Sequence, residues 1–454
     1  MEKSLIDKYN VPGPRYTSYP TVPFWNPAGI ELFEWKNSVK RAFEESNKEE
    51  GISIYIHLPY CESLCTFCGC HKRITKQHNV EEPYINAVLK EWQMYTALFD
   101  EKPIIKELHF GGGTPTFFSP DNLSHLVNGI FALGDLAEDA KLSFEGHPNN
   151  TTGEHLKQLY TLGFRRVSFG VQDYDPVVQK TINRIQPFEK VKEVTDLARE
   201  IGYESISHDL VFGLPKQTLE GIRNTIEATN KLMPDRIAFY SYAHVPWVKG
   251  VGQRGFDESD LPKSDVKRKL YEEGKATLES LGYVEIGMDH FALEHDEMYV
   301  SMKQHKLHRN FMGYTASKTK LMVGLGVSSI SDSWYAFAQN VKTIDEYYKC
   351  IDADEWPVFK GHDLTAEDLV IRKHILNIMC RFQTSWKDDS LKFEGLDTTI
   401  SKLKEIELDG LLDLGKEGLQ VKEEGRPFIR NICMAFDLHL LRKKPDTQLF
   451  SLTI

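Results

Sequence analysis

The chain has 454 residues, 41% of them hydrophobic and 27% charged, which is the balance of a globular protein with an ample core and excludes fibrous and disordered classes for the bulk of it. At about 150 residues per domain the length allows roughly three domains, or one large α/β barrel and a smaller companion. Lys and Arg total 55 against 66 Asp and Glu, a formal charge of −11, which argues against non-specific nucleic-acid binding and requires a local basic patch for any anionic ligand.

The first fifty residues are polar and proline-spaced (Pro12, Pro14, Pro20, Pro23, Pro27) and predict an irregular arm leading into a short helix near Trp35–Glu45. From Ile52 onward, short β-branched or aromatic runs alternate with amphipathic stretches. The runs Ile52–Leu58, Ile104–Phe110, Lys141–Glu145, Arg166–Gly170, Ser205–Val211 and Arg236–Tyr242 predict strands, with a weaker one at Tyr283–Met288. Tyr84–Phe99, Pro120–Leu133, Glu189–Ile201, Leu219–Leu232 and Ser264–Leu281 predict helices. Such alternation implies parallel strands joined by right-handed crossovers. Polar or glycine-rich residues follow each strand, as at 59–70, 111–116, 146–150 and 213–215, and in parallel α/β barrels those loops build the active site. The expected fold is therefore α/β, a partial parallel (β/α)6-type barrel with an N-terminal arm and a mainly helical C-terminal domain. The expected boundaries are 1–50, 51–345 and 346–454.

Beyond residue 350 the alternation stops. Asp363–Phe382 and Ile400–Leu408 read as helices, followed by Asp409-Gly410-Leu411 and a hairpin-like Leu411–Lys422. That order suits either a small helical cap or a winged-helix fragment, but the mixed charge gives no basic recognition face. No run of about 18 apolar residues is present, and the N-terminus carries no apolar stretch of signal-peptide length. A cytoplasmic protein without membrane or nucleic-acid partners is expected.

The seven cysteines are Cys61, Cys65, Cys68, Cys70, Cys350, Cys380 and Cys433. Four fall within ten residues and three stand alone, which is metal-binding spacing and not a disulfide framework. Three thiolates at x3 and x2 spacing wrap three corners of a cubane iron–sulfur cluster and leave one iron open to another ligand. A four-cysteine zinc site remains the alternative, although such sites usually show two separated Cys-x2-Cys pairs. Cys70, two residues after Cys68, is too close for both to bind one cluster readily.

The segment Tyr55-Ile56-His57-Leu58-Pro59-Tyr60-Cys61-Glu62-Ser63-Leu64-Cys65-Thr66-Phe67-Cys68-Gly69-Cys70 resembles the radical S-adenosylmethionine enzymes and, among them, the oxygen-independent coproporphyrinogen III oxidases. Gly13-Pro14-Arg15-Tyr16-Thr17-Ser18-Tyr19-Pro20-Thr21 is similar to that family's arm, and His109-Phe110-Gly111-Gly112-Gly113-Thr114-Pro115-Thr116 to its glycine motif. Phe169–Asp173, Asp209–Pro215, Gly287–Phe291, His308–Phe311 and Arg430–Met434 follow in the family's order, so the similarity runs from about residue 8 to 440. One departure is His147, where the family often has Asp or Asn.

The resemblance implies a [4Fe–4S] cluster on Cys61, Cys65 and Cys68, and two bound molecules of S-adenosyl-L-methionine. It implies cofactor contacts at Tyr55, Phe67, Gly112, Gly113, Thr114, Glu145, Gln172, Arg184, Asp209, Ala243 and Ile330. The reaction implied is oxidative decarboxylation of two propionates of coproporphyrinogen III to vinyl groups by a 5′-deoxyadenosyl radical, giving protoporphyrinogen IX in haem biosynthesis. A flavodoxin- or ferredoxin-type electron donor and a monomeric state are part of the same expectation. Paralogues with this fold act as haem chaperones or in other tetrapyrrole chemistry, and commonly lack the arm or the Gly-Cys extension present here. A tetra-anionic substrate needs converging cations, for which Lys72, Arg73, Lys306, His308 and Arg309 are candidates. Arg15 and Tyr16 are candidates to close over the ligands.

Overall fold

The computed structural model describes residues 3–246, 252, 253, 255–443 and 449–453. The chain divides into two compact units, one of residues 28–261 and 319–363 and the other of residues 1–27, 262–318 and 364–454.

The first unit is built on the predicted strands: β1 (Ile52–Leu58), β2 (Ile104–Gly112), β3 (Asp135–Gly146), β4 (Arg166–Gln172), β5 (Ser205–Phe212) and β6 (Arg236–Ser241). They lie side by side in chain order and all neighbours are parallel, the sheet of a partial (β/α)6-type barrel. Burial on both faces explains the unbroken apolar runs: Ile52, Ile54, Ile56 and Leu58 of β1 are fully buried. The crossover helix Glu81–Thr96 buries Tyr84, Ile85, Val88, Trp92 and Tyr95, one helical stripe. Helix starts are fixed locally. Ser119 and Thr218 cap Pro120–Ala132 and Leu219–Asn230, and Thr152 with His155 forms a capping box on Gly153–Thr161.

The sequence reading did not foresee what lies on the other side of β1. Leu321–Leu325 pairs with β1 in parallel, and Ile330–Asp332, Ala336–Asn340 and Val358–Asp363 continue the sheet antiparallel. These strands are short, and their glycines and serines mask period-two alternation. The predicted helix at Asp363 begins instead at Ala366, because Thr365 caps it in a capping box with Asp368.

In the second unit, helices Ser264–Ser280, Ala366–Arg381 and Leu396–Leu408 accompany two hairpins and a three-stranded sheet of Gln383–Ser385, Gly418–Val421 and Leu412–Leu414. The C-terminal region is mainly helical, as expected, with the small three-stranded sheet among its helices. Helix, strand, helix, two-stranded wing is the order seen. The arm belongs to this unit. Tyr9, Tyr16, Tyr19 and Trp25 are buried in its core cluster or beside it, Pro12 bridges to Leu452, and helix Lys3–Tyr9 replaces part of the expected irregular stretch. The boundaries therefore differ from 1–50, 51–345 and 346–454, since helix Leu32–Ser46 lies in the first unit while residues 262–318 lie in the second.

Candidate active site

The loop after β1 carries the cysteine triplet and is tied at both ends. Tyr60–Cys61 pairs with Arg73–Ile74, the Arg73 amide donates to the Pro59 carbonyl at 2.7 Å, and the Thr75 amide donates to that of Cys61 at 3.0 Å. Between those ends, the Cys68 amide turns back to the Cys65 carbonyl at 3.2 Å, and Thr66 donates to Ile182 at 2.9 Å. Asn183 donates to the Leu64 carbonyl at 2.7 Å. Lys72 donates to the carbonyls of Cys68 and Cys70 at 3.3 and 3.2 Å, so this candidate substrate cation holds the loop. A tethered loop loses little entropy when its thiols take a ligand.

All seven cysteines are free thiols, and Cys61, Cys65 and Cys68 are part-exposed. The Thr114 hydroxyl donates to Cys61 Sγ at 3.3 Å and Arg184 Nη1 to Cys65 Sγ at 3.5 Å. The Cys70 thiol hydrogen-bonds Cys68 and lowers its pKa, while burial pushes Cys61 up to about 11. Three thiols, two of them facing hydrogen-bond donors that stabilise a thiolate, fit a cluster held by sulfur.

The glycine motif meets this loop directly. Gly112 has φ +113°, and a Cβ there would stand 2.7 Å from the His57 ring; a Cβ on Gly113 would stand 2.7 Å from the Pro59 carbonyl. Glycine lets the end of β2 lie against the loop, so that the amides of Gly113 and Thr114 reach the carbonyls of Leu58 and Tyr60 at 2.9 and 3.0 Å. Thr114 is thereby set on Cys61.

Polar groups gather at the ends of neighbouring strands. Glu145 accepts from the Gly112 amide at 3.3 Å and lies 3.5 Å from His109 Nε2. Tyr55 stacks beside His109, its hydroxyl 3.1 Å from His57 Nδ1. His57 Nε2 lies 3.0 Å from the His71 carbonyl, so Nε2 carries the proton and Nδ1 accepts from Tyr55. Burial holds His57 near 4, and hence neutral. Asp209 accepts from Ser168 at 2.8 Å, and desolvation pushes its carboxyl up to about 7.

Arg184 donates to the Gly170 carbonyl at 2.6 Å, and its Nε is buried with no partner among the described residues. Gln172, at φ +69°, brings its amide to the same glycine. His147, the departure from the family pattern, is lowered to about 3 by burial and by the Arg184 charge. Phe67 packs against the apolar cluster of Val178, Ile182, Val211, Leu214 and Tyr242.

Gln253, which the sequence reading missed, is 3% exposed. Its amide donates to the carbonyls of Phe67 at 2.9 Å and Ala243 at 3.0 Å, joining two predicted contacts. A lone glutamine in a polar stretch gives no sequence signal of that role. Ile330 opens the second added strand, paired with Gln339. Among the remaining predicted cations, Arg73 and Lys306 are exposed, His308 is buried and lowered to about 3, and Arg309 is buried. Tyr16 is also buried and donates to Asp437 at 3.0 Å, which anchors the arm.

A parallel barrel sheet with a Cys-x3-Cys-x2-Cys loop after its first strand defines a radical S-adenosylmethionine enzyme, and the radical SAM superfamily pattern matches residues 55–229. Relatives named oxygen-independent coproporphyrinogen III oxidase include one from Synechocystis, 38% identical across 99% of this chain and 97% of its own length. Another from Escherichia coli is 38% identical across 99% and 98%. The solved coproporphyrinogen III oxidase (HemN) from Escherichia coli, described as a radical SAM enzyme, superposes with a TM-score of 0.89 at 35% identity, covering 97% of this chain and 99% of that one. This chain belongs to the oxygen-independent coproporphyrinogen III oxidases, a family whose superfamily implies a [4Fe–4S] cluster and S-adenosylmethionine. Among the described residues no helix is long and apolar enough to cross a membrane.

Proposed function

We propose that Cys61, Cys65 and Cys68 hold the [4Fe–4S] cluster, and that Tyr55, Phe67, Gly112, Gly113, Thr114, Glu145, Gln172, Arg184, Asp209, Ala243 and Ile330 bind two molecules of S-adenosylmethionine. The substrate is coproporphyrinogen III, two of whose propionates are oxidatively decarboxylated to vinyl groups. The observation that carries this reading is the tethered triplet with donors on two of its sulfurs, in a chain related over its whole length to the oxidases.

When bound, the reduced cluster supplies the electron that opens the sulfonium of S-adenosylmethionine, and so the radical chemistry. The chain's own residues bind and orient. Arg184, with Nε unsatisfied, offers one charged donor to a ligand carboxylate. Glu145 and Asp209 accept from amino or hydroxyl groups. Neutral His57 fixes the Tyr55 hydroxyl, and the Gln253 bridge fixes the carbonyls of Phe67 and Ala243. The protein works in the cytoplasm as a monomer, with a flavodoxin- or ferredoxin-type donor. The deciding experiment is anaerobic turnover. Reconstituted protein with reductant, S-adenosylmethionine and coproporphyrinogen III is expected to yield protoporphyrinogen IX and 5′-deoxyadenosine. An intact cluster that gives neither product refutes the assignment.

A further inference from the structure

Helix Glu81–Thr96 meets the added strands beside β1 through one polar stripe. Tyr84, Glu91 and Tyr95 share a helix face and are all buried. Glu91 is 0% exposed, and no cation pairs with it among the described residues. Its carboxylate instead accepts three hydrogen bonds. The Gly326 amide and the Tyr347 hydroxyl donate to Oε2 at 2.8 and 2.6 Å, and the Asn340 side-chain amide donates to Oε1 at 2.6 Å. Burial pushes the carboxyl up to about 7, and the three donors act against that rise.

These contacts bracket Ile330. Before it, Asn340 Nδ2 also donates to the Gly326 carbonyl at 2.9 Å and lies 3.1 Å from Ser329 Oγ. Ser329 Oγ donates to the same carbonyl at 2.8 Å, so the turn closes on itself with Glu91 as its outside anchor. Tyr84 donates to the His57 carbonyl at 2.8 Å and accepts from the Val327 amide at 2.9 Å, joining this turn to the end of β1. Gly326, at φ +92°, admits that approach, since a Cβ there would stand 2.4 Å from the Tyr84 hydroxyl. After it, Ser331 Oγ lies 3.3 Å from the Tyr95 hydroxyl and accepts from the Gly324 amide at 2.8 Å.

A buried carboxylate without a cation is costly, and stability alone does not call for one. Its use here is geometric. Two acceptor oxygens take donors from the turn, from strand Ala336–Asn340 and from helix Ile344–Asp352 at once. We propose that Glu91 is a positioning residue for the S-adenosylmethionine site, fixing the turn 326–329 so that Ile330 meets the ligand. This rests on the assignment of Ile330 as a cofactor contact. Glu91→Gln keeps the shape but has one acceptor oxygen, and its amide group sets an N–H against one of the three donors.

Anaerobically reconstituted wild type, Glu91→Gln, Ile330→Gly and the double variant are titrated with S-adenosylmethionine by equilibrium dialysis, at about pH 8 to keep Glu91 ionised. Turnover of coproporphyrinogen III is measured on the same samples. Glu91→Gln is expected to raise Kd and KM for S-adenosylmethionine about fivefold, the scale of one hydrogen bond. Its kcat at saturation, its KM for the porphyrinogen and its iron content are expected to stay unchanged. Because the effect runs through Ile330, adding Glu91→Gln to Ile330→Gly should cost less than about twofold more. Wild-type affinity in Glu91→Gln, even with a lower melting temperature, overturns the proposal and leaves a structural role. An equal loss in both backgrounds overturns the route through Ile330. If Glu91→Gln does not fold, Tyr347→Phe removes one of the three donors and carries the test, a loss supporting the proposal and unchanged affinity overturning it. Wild-type affinity in Ile330→Gly refutes the cofactor contact on which the proposal stands, and wild type that neither binds nor cleaves S-adenosylmethionine refutes the oxidase reading.

Discussion

Arg184 places Nη1 3.5 Å from the sulfur of Cys65 while Nη2 donates to the Gly170 carbonyl at 2.6 Å. One side chain thus links the cysteine loop after β1 to the end of β4, with Nε left for a ligand. Lysine carries the charge but not the fork. We predict that Arg184→Lys keeps the cluster and weakens S-adenosylmethionine binding about tenfold, the cost of one charged hydrogen bond. Equilibrium dialysis on anaerobic protein measures it, and unchanged affinity would show that the fork serves only the loop.

Three thiols and not four are expected to bind metal. Cys65→Ala should lose the cluster's visible absorbance and its iron and sulfide, whereas Cys70→Ser should retain them, because Cys70 hydrogen-bonds Cys68 and sits only two residues away. Loss of iron from the Cys70 variant would contradict the three-ligand assignment.

Gly113→Ala is expected to disturb the site through the backbone, beyond any loss at its proposed S-adenosylmethionine contact. The added methyl meets the Pro59 backbone at 2.7 Å, whereas at Gly69 it meets only the Gln253 amide at 4.0 Å. Overpacking against backbone costs about 1–3 kcal/mol. Gly113→Ala should therefore lower the melting temperature and the iron content, and Gly69→Ala neither. Thermal melting and iron analysis on both variants decide it.

Acid should destabilise the fold through buried neutral histidines. Burial lowers His208 and His308 each to about 3, against about 6.5 in the unfolded chain. Because the folded values are depressed, this stabilisation is complete above about pH 6.5 and is lost as pH falls toward 3, at about 1.4 kcal/mol per histidine per pH unit. His57 at about 4 and His147 at about 3 add to the fall, while Glu91 and Asp209, raised by burial to about 7, and Asp173, raised to about 6, have the opposite slope between their unfolded values of about 4 and those values and offset roughly three of the four histidines. Anaerobic melting from pH 7.5 to 5 should show a net fall that is shallower in His208→Gln. A flat profile in wild type would overturn the account.

The cysteine triplet, the six parallel strands and the family were legible in the sequence because each is written locally. Ligands seven residues apart on one loop, apolar runs of strand length and an ordered series of motifs need no tertiary knowledge. The strands from Leu321 to Asp363 were not legible, because they are short and Gly324 is required by the Ile330 backbone, where a Cβ would stand 2.3 Å from the carbonyl oxygen, and not by any strand period. The −11 charge raised the question of how an acidic chain holds a four-carboxylate substrate, and sequence position offered Lys72 and Arg309 on equal terms. Only the tertiary structure separates them. Lys72 is spent on loop carbonyls, while Arg309 is buried beside Arg15 and Arg430, residues some 300 positions before it and 120 after it. Net charge and spacing are sums along the chain. Whether a given cation is satisfied depends on which distant groups share its low-dielectric surroundings, and packing alone decides that.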